Sequence, residues 1–248
     1  MFLKHANLKY FNKTILNYSL TQENNFFIDI LLKSPNKSVF LDIGAYDGNT
    51  CIFVSRKLKE NNRKDIQVLA FEPKKSLCES INKKAKQEKL NLKCINLVVS
   101  NNNDKIYMKQ DQGSGTMYHK KFNGLEYDSD TLDNILKQLS IKEAHLIKID
   151  VEGLEPEVLQ GAKNILKNTK HIYIEVWNDI HIKERNGIEN GSHNKNILDN
   201  LKNFYPIQKI EKNIYFKNKK IFNIYNSNIP IGPNREESHP PRYMGTNQ

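Results

Sequence analysis

The predicted fold of this chain depends on one stretch, Val39-Phe40-Leu41-Asp42-Ile43-Gly44-Ala45-Tyr46-Asp47-Gly48-Asn49-Thr50. It begins with a short apolar run, which is typical of a buried parallel strand. Two glycines four residues apart then predict a tight turn, and the residues that follow, 51–58, predict a helix. Such a strand, turn and helix form the nucleotide-binding corner of an open α/β sheet. Glycine lets a ligand approach the backbone, and free N–H groups at the helix start point towards it.

The turn differs from the dinucleotide-binding fingerprint in sequence and in charge. Tyr46 occupies the position where that fingerprint has its second glycine. Asp42 at the strand end and Asp47 in the turn would also repel a phosphate group. A cationic or zwitterionic cofactor suits this corner better, and S-adenosylmethionine carries both an ammonium and a sulfonium. The charges therefore favour S-adenosyl-L-methionine as the cofactor.

The composition limits the size and the partners of the protein. A chain of 248 residues can bury one good core, so one domain is expected. Its 38 Lys and Arg exceed its 28 Asp and Glu, giving a formal net charge of +10. A basic surface could bind nucleic acid, anionic lipid or an acidic glycan. The lysines are scattered and form no cluster with arginines. The positive charge is therefore better explained by the overall lysine content than by a dedicated binding surface.

The cysteines and the chain start give further expectations. Cys51, Cys78 and Cys94 form no C-x-x-C pair, so neither a zinc site nor a disulfide framework is predicted. No metal ligands are assigned. The first residues lack the apolar core of a signal peptide, and no run reaches membrane-spanning length. These features predict a soluble protein with a cytoplasmic location.

Further strands and helices are expected on both sides of the glycine turn. A helical segment is predicted within residues 1–38, a main domain over 39–227 and a disordered tail over 228–248. Within the domain, further strands are predicted at 67–72, 92–100, 145–150 and 171–177, with two terminal strands near 207–210 and 214–224. Residues 110–130 are polar, glycine-dotted and without apolar period, which predicts a mobile loop that closes over a substrate.

Five segments occur in an order and spacing that resembles the FkbM family of S-adenosylmethionine-dependent methyltransferases. They are Leu41-Asp42-Ile43-Gly44-Ala45-Tyr46-Asp47-Gly48, Phe71-Glu72-Pro73, Thr131-Leu132-Asp133, Ile147-Lys148-Ile149-Asp150-Val151-Glu152-Gly153-Leu154-Glu155 with Leu159-Gln160-Gly161-Ala162, and Ile174-Glu175. The resemblance covers roughly residues 39–178, and the fourth segment is its most specific part. Tyr46 departs from the asparagine that many members of the family have there.

The resemblance implies a fold and a reaction. The implied fold is an α/β class I methyltransferase, a Rossmann-like three-layer sandwich whose mostly parallel seven-stranded sheet has an antiparallel last strand. The implied reaction is O-methylation of a hydroxyl on a sugar, lipid or other small molecule. Two alternatives stay open: an RNA or protein methyltransferase that uses the basic surface, and a catalytically silent binding scaffold. Neither the acceptor nor the oligomeric state follows from the sequence.

Cofactor contacts are predicted where the first three strands end. Glu72 closes the second strand, where a carboxylate can accept both ribose hydroxyls of an adenosine. The alternative for Glu72 is a carboxylate that caps the next helix. Val99 and Ser100, at the end of the third strand, are expected beside the adenine, although a plain strand end is nearly as plausible. The full predicted set is Asp42, Gly44, Ala45, Tyr46, Gly48, Thr50, Glu72, Pro73, Val99 and Ser100.

Charged residues inside the fourth and fifth strands are anomalous, because central strands of a parallel sheet are buried on both faces. Alternation places Lys148 and Asp150 on one face of their strand, and it places Glu175 on the same face as Tyr173 and Trp177 in the next. A buried Lys148 needs a carboxylate partner, and Asp150 and Glu175 are the candidates. Asp150 and Glu152 emerge at the carboxyl end of the strand, where open α/β sheets bind ligands. The predicted catalytic set is therefore Asp150 and Glu152, supported by Lys148 and Glu175, with a purely structural ion pair as the alternative.

Overall fold

The computed structural model describes residues 23–108, 117–118, 125–176, 192–210 and 213–218. The predicted tail at 228–248 and most of the segment before the first strand lie outside these residues. Within the described part, no helix combines the length and the apolar character needed to cross a membrane.

Helices and strands alternate from residue 23 to residue 95, and two further strands follow directly. The elements are α1 over 23–32, β1 Val39–Ile43, α2 Asn49–Glu60, β2 Gln67–Phe71, α3 Lys75–Gln87, β3 Leu92–Ile95, β4 Val98–Ser100 and β5 Lys105–Met108. Cys51, Cys78 and Cys94 are free, buried thiols on α2, α3 and β3.

The second half adds the carboxyl-terminal strands of the main sheet. Its elements are β6 Met117–Tyr118, β7 Leu125–Thr131, α4 Leu132–Gln138, β8 Leu146–Ile149, α5 Glu155–Gln160, a 3₁₀ turn Ile165–Asn168, β9 His171–Glu175, α6 Ser192–Asn200, β10 Phe204–Ile210 and β11 Asn213–Asn218. Thr131 caps helix α4, because its side-chain oxygen accepts the Asn134 N–H at 3.2 Å.

The main sheet has the strand order β3-β2-β1-β8-β9-β11-β10. Neighbours from β3 through β9 pair in parallel, whereas β11 is antiparallel to both β9 and β10. The order reverses beside β1, where β2 lies on one side and β8 on the other. A ligand crevice is expected at such a switch point. The predicted mostly parallel Rossmann-like sheet with flanking helices is confirmed.

Side chains alternate between two cores, one on each face of the sheet. Leu41, Ile43 and Ile147 face a core completed by α4, α5 and α6. Phe40 and Tyr173 face the other core, which is completed by α1, α2 and α3. This alternation gives an α/β/α sandwich.

Helix α1 covers the second core and runs antiparallel to the strands. Phe27 packs edge-on against Tyr173, with ring centroids 4.9 Å apart. At its carboxyl end, the guanidinium of Arg63 donates to the carbonyls of Leu31 and Leu32 at 3.2 and 3.0 Å. Because Arg63 lies just before β2, that end is at the amino edge of the sheet. The first residues of α1 therefore lie at the carboxyl edge.

The expected single strand over 92–100 is wrong, because it is divided between two sheets. β3 pairs with β2 in the main sheet, whereas β4 pairs with β7 in a second sheet of order β4-β7-β5-β6. Asn96 stands between them, and its side-chain amide donates to the carbonyls of Glu72 and Pro73 at 2.9 and 2.7 Å. The two carbonyls therefore bond the Asn96 side chain and not a backbone N–H of a continuing strand. After β3 the chain leaves the main sheet.

The expected loop over 110–130 is also corrected in part. Its last residues form β7, which pairs in parallel with β4 and antiparallel with β5. β7 carries few apolar residues, and part of its pairing is ionic, since Lys105 contacts Glu126 and Asp128 at 3.2 and 2.6 Å. A strand that is solvated on much of its surface lacks the apolar alternation by which strands are predicted. Residues 109–116 and 119–124 lie outside the described part.

Candidate active site

The glycine turn after β1 packs directly against the end of β8. The N–H groups of Gly44 and Ala45 both donate to the Phe71 carbonyl, at 3.1 and 3.0 Å. Gly44 has φ +85°, and a Cβ built there would lie 1.8 Å from the carbonyl oxygen of Asp150. Glycine at this position therefore brings the predicted cofactor turn against the predicted catalytic segment.

Glu72 connects the glycine turn to the start of α3. One carboxylate oxygen accepts the N–H of Tyr46 at 2.8 Å, and the other accepts the N–H of Lys74 at 2.8 Å. The capping alternative for Glu72 is thus observed, and the predicted ribose contact stays a prediction. Burial raises the pKa of Glu72, and its two backbone N–H donors and Lys74 act against that rise.

Tyr46 is the exposed residue of the turn. It has φ +50° and 53% of its surface is exposed. The Lys74 ammonium lies 6.0 Å from its ring centroid, at the outer limit of a cation–π contact. The predicted cofactor residues Gly48 and Thr50 begin α2, and Gly48 adopts φ +81° as the residue before its first turn.

Lys148 is buried between two aspartates. Its Nζ lies 3.1 Å from Asp150 Oδ2 and 3.5 Å from Asp42 Oδ1. Asp42 and Lys148 are direct register partners on β1 and β8. Sequence reasoning named Asp150 as a partner of Lys148 but assigned Asp42 to the cofactor. The missed signal was that Asp42 and Lys148 are each the next-to-last residue of their strand.

The charges of this cluster determine how it titrates. Burial tends to lower the pKa of Lys148, but the carboxylates of Asp150, Asp42 and Glu23 outweigh burial and raise it, so Lys148 is a cation at neutral pH. Burial raises the pKa of Asp42, against the attraction of Lys148. Asp42 has no exposed surface, so it is not accessible to a ligand. The Asp150 side chain is 37% exposed and is accessible.

The two remaining predicted catalytic residues flank this cluster. Glu175 ends β9 and is buried. Glu152 lies in the turn after β8, is partly exposed and adopts φ +56°. Asp150 and Glu152 follow β8 at the carboxyl edge, as predicted, whereas Glu175, expected inside a strand over 171–177, is the last residue of β9.

The predicted adenine neighbours are less accessible than expected. Val99 and Ser100 are buried on β4, and the Ser100 carbonyl oxygen would lie 2.0 Å from a Cβ at Gly161. Pro73 is buried after Glu72. A contact between Ser100 and a ligand would therefore involve the backbone or a shift of the strand.

Sequence reasoning missed three residues at this edge. Glu23, near the start of α1, is buried and acts on Lys148. Glu155 and His193 form a buried pair on α5 and α6. For Glu155 the sequence offered a signal, because this residue belongs to the fourth segment of the family resemblance. Glu23 and His193 had no such signal, because their partners are distant in the chain. Within the described ranges, no three His, Cys, Asp or Glu side chains form a group able to hold a metal ion.

The sheet order, the glycine turn at its switch point and the carboxylates beside it define a Rossmann-like fold of the class I methyltransferase type. A family profile described as the methyltransferase FkbM domain matches residues 42–203. The chain belongs to the FkbM methyltransferase family.

Similar solved structures are also methyltransferases by their descriptions. The O-methyltransferase NovP shares 9% identity and a TM-score of 0.47, over 79% of this chain and 78% of NovP. A candidate rRNA methylase from Clostridium thermocellum has 13% sequence identity and a TM-score of 0.46, and the match covers 81% of this chain and 95% of the methylase. The bifunctional kinase-methyltransferase WbdD has 10% sequence identity with this chain and a TM-score of 0.47. The match covers 82% of this chain and 39% of WbdD. Likenesses this weak carry no inference about substrate, and no curated protein sequence matches the chain.

Proposed function

We propose that this protein binds S-adenosyl-L-methionine and transfers its methyl group to a hydroxyl of a sugar, lipid or other small molecule. The observation that carries the proposal is the approach of the Gly44 turn to the carbonyl of Asp150 at the switch point of the sheet. This approach puts the proposed cofactor corner and the proposed catalytic carboxylates side by side.

The residues at this corner fit such a cofactor by charge. The Asp150 side chain is partly exposed, and Glu152 follows it in the turn after β8. Among the described residues of this corner, these carboxylates outnumber the buried cation Lys148, so the edge favours the ammonium and sulfonium of the cofactor. Glu72 keeps further acceptor capacity on both oxygens for the ribose hydroxyls, because each oxygen takes one backbone donor.

The proposed mechanism assigns distinct roles to the charged residues. When bound, the cofactor supplies an electrophilic methyl group on its sulfonium. Asp150 and Glu152 orient the acceptor hydroxyl, and one of them takes its proton as the oxygen attacks. Lys148 holds Asp150 in place from beneath, together with Asp42. Orientation of reactants is worth up to about 7–11 kcal/mol in favourable systems, and a positioned base adds roughly 10²–10⁴-fold.

The first experiment measures affinity, so that it does not depend on the unknown acceptor. S-adenosylmethionine and S-adenosylhomocysteine are titrated by calorimetry into the wild type, Asp150→Asn and Glu152→Gln. The two ligands differ by the sulfonium charge, so loss of a facing carboxylate should weaken the first ligand more than the second, by about three- to tenfold. Equal weakening would remove that carboxylate from the methyl group, and no binding of either ligand by the wild type would support the silent scaffold.

A second experiment identifies the acceptor class. Methyl-labelled cofactor is incubated with panels of glycans, lipids, small phenols and RNA, and label transfer is followed by mass spectrometry. The proposal expects transfer to a hydroxyl compound. Binding to RNA with a steep salt dependence, together with label in RNA, would favour the alternative suggested by the net charge of +10.

A further inference from the structure

The carboxylate of Glu155 joins three parts of the molecule at the candidate site. One oxygen, Oε1, accepts the backbone N–H groups of Val151 at 3.1 Å and Gly153 at 3.2 Å. The other, Oε2, lies 3.2 Å from Nε2 of His193. Glu155 itself begins α5 and has no exposed surface. The turn after β8, the start of α5 and the start of α6 therefore meet at one buried carboxylate.

The two backbone donors enclose Glu152. Glu152 has φ +56°, a left-handed conformation that is unfavourable for residues with a Cβ, and the next residue, Gly153, has φ +110°. Two N–H groups on a single carboxylate oxygen fix the residues on either side of Glu152 relative to each other. The unfavourable conformation of Glu152 persists because Glu155 holds both of its neighbours.

His193 holds the other side of the same carboxylate. It is the second residue of α6 and is 3% exposed. Among the residues that the structure describes, neither Oε2 of Glu155 nor Nε2 of His193 has a well-aligned hydrogen bond, so their 3.2 Å approach is a buried polar contact. A carboxylate without exposed surface is costly unless a polar or cationic group faces it. The imidazole is that group, and the packing of α6 on α5 brings it there.

We propose that His193 is a positioning residue for methyl transfer, which acts through Glu155 to fix the backbone of Glu152. This inference rests on the proposed function, because it takes Glu152 as a group that faces the acceptor. It also gives α6 a role at the site. The competing explanation is that the pair only attaches α6 to the domain.

Hydrogen exchange tests the link without any methylation assay. In His193→Ala, the amides of Val151 and Gly153 should exchange at least about tenfold faster, because Glu155 loses the group that fixes it. Amides of β1, such as Leu41, should keep their wild-type protection. In His193→Gln, the side-chain amide can donate to Oε2, so protection at both positions should return. The matched control is Leu198→Ala, an exposed position on the same helix.

Unchanged exchange at Val151 and Gly153 in His193→Ala, with a lower melting temperature, would overturn the proposal in favour of simple attachment. If His193→Ala does not fold, His193→Asn takes its place, since its shorter amide falls short of Oε2 while Gln reaches it. Equal protection in the Asn and Gln variants would then overturn the link.

Kinetics test the functional part. With an acceptor found by label transfer, His193→Ala should lower kcat by at least about tenfold and change KM for S-adenosylmethionine by a smaller factor, because the described contacts of Glu155 and His193 are to Val151, Gly153 and each other. A rise in KM for the cofactor with unchanged kcat would overturn the positioning role. Failure of the wild type to bind the cofactor would instead refute the proposed function, and the exchange result would still decide whether His193 acts on the turn.

Discussion

The Nζ of Lys148 lies 3.5 Å from Oδ1 of Asp42, its direct register partner on the adjacent strand, and both side chains are buried. Asp42 belongs to the strand that leads into the glycine turn, whereas Lys148 precedes Asp150 on β8. The ion pair therefore connects the strand of the proposed cofactor turn with the strand of the proposed catalytic carboxylates.

Removal of Lys148 should destabilise the protein strongly. Lys148→Met leaves Asp42 buried without its cation, and breaking a buried pair in this way costs about 3–5 kcal/mol. Urea unfolding measures the loss, and Lys142→Met, at an exposed position before β8, is the matched control. Adding Asp42→Asn to Lys148→Met should recover part of the loss, since the uncompensated charge is then absent. If the loss of unfolding free energy in the double variant equals the sum of the losses in the two single variants, the two residues are not coupled and the prediction is wrong.

Glu72→Gln should affect both the turn and cofactor affinity. The new amide group faces a backbone N–H of Tyr46 or Lys74 where an oxygen stood, so stability should fall by about 1–3 kcal/mol. Affinity for S-adenosylhomocysteine should fall at least about tenfold, or about 1.4 kcal/mol. Calorimetry and thermal melting measure the two effects, with Glu79→Gln on the exposed side of α3 as control. Loss of stability at unchanged affinity would leave Glu72 with its capping role alone.

Gly44→Ala should separate the turn from the end of β8. The positive φ costs a residue with a Cβ about 1–3 kcal/mol, and the contact of the added Cβ with the Asp150 carbonyl must also be relieved by a backbone shift. We expect both lower stability and weaker cofactor binding. Ala45→Gly, in the same turn, should cost less than about 1 kcal/mol. Equal effects of the two variants would show that the close approach is unimportant.

His145 should make stability fall in mild acid. Burial, with smaller contributions from Lys170 and Arg63, lowers the pKa of His145 from 6.5 to about 4. Between these values the unfolded chain binds a proton that the folded chain does not, so the free energy of unfolding decreases as pH falls from 6.5 and levels off below about 4.

The pH dependence is isolated by comparing His145→Asn with the wild type. Denaturant unfolding of both proteins at several pH values gives a difference curve to which groups common to both contribute little. The curve should change between pH 6.5 and about 4 and be flat above. A flat difference across the whole range would contradict the lowered pKa of His145.

The local sequence was sufficient for most of the main sheet. The mainly apolar runs Val39–Ile43 and Leu146–Ile149 are buried on both faces, so the local pattern of residues is enough to predict where these strands lie. The second sheet was not predictable in the same way. The strand Leu125–Thr131 is polar, and its partners β4 and β5 supply the hydrogen bonds and charges that hold it.

By itself, the sequence determined where most of the parallel strands lie along the chain, the glycine turn and the carboxylates that follow the strands. These features are set by residues close together in the chain, through burial, backbone freedom and alternation. Only the tertiary structure decided which charges meet. Asp42 lies opposite Lys148 because of strand register, and His193 reaches Glu155 because α6 packs on α5. Contacts between residues far apart in the chain depend on packing geometry, which no local pattern in the sequence specifies.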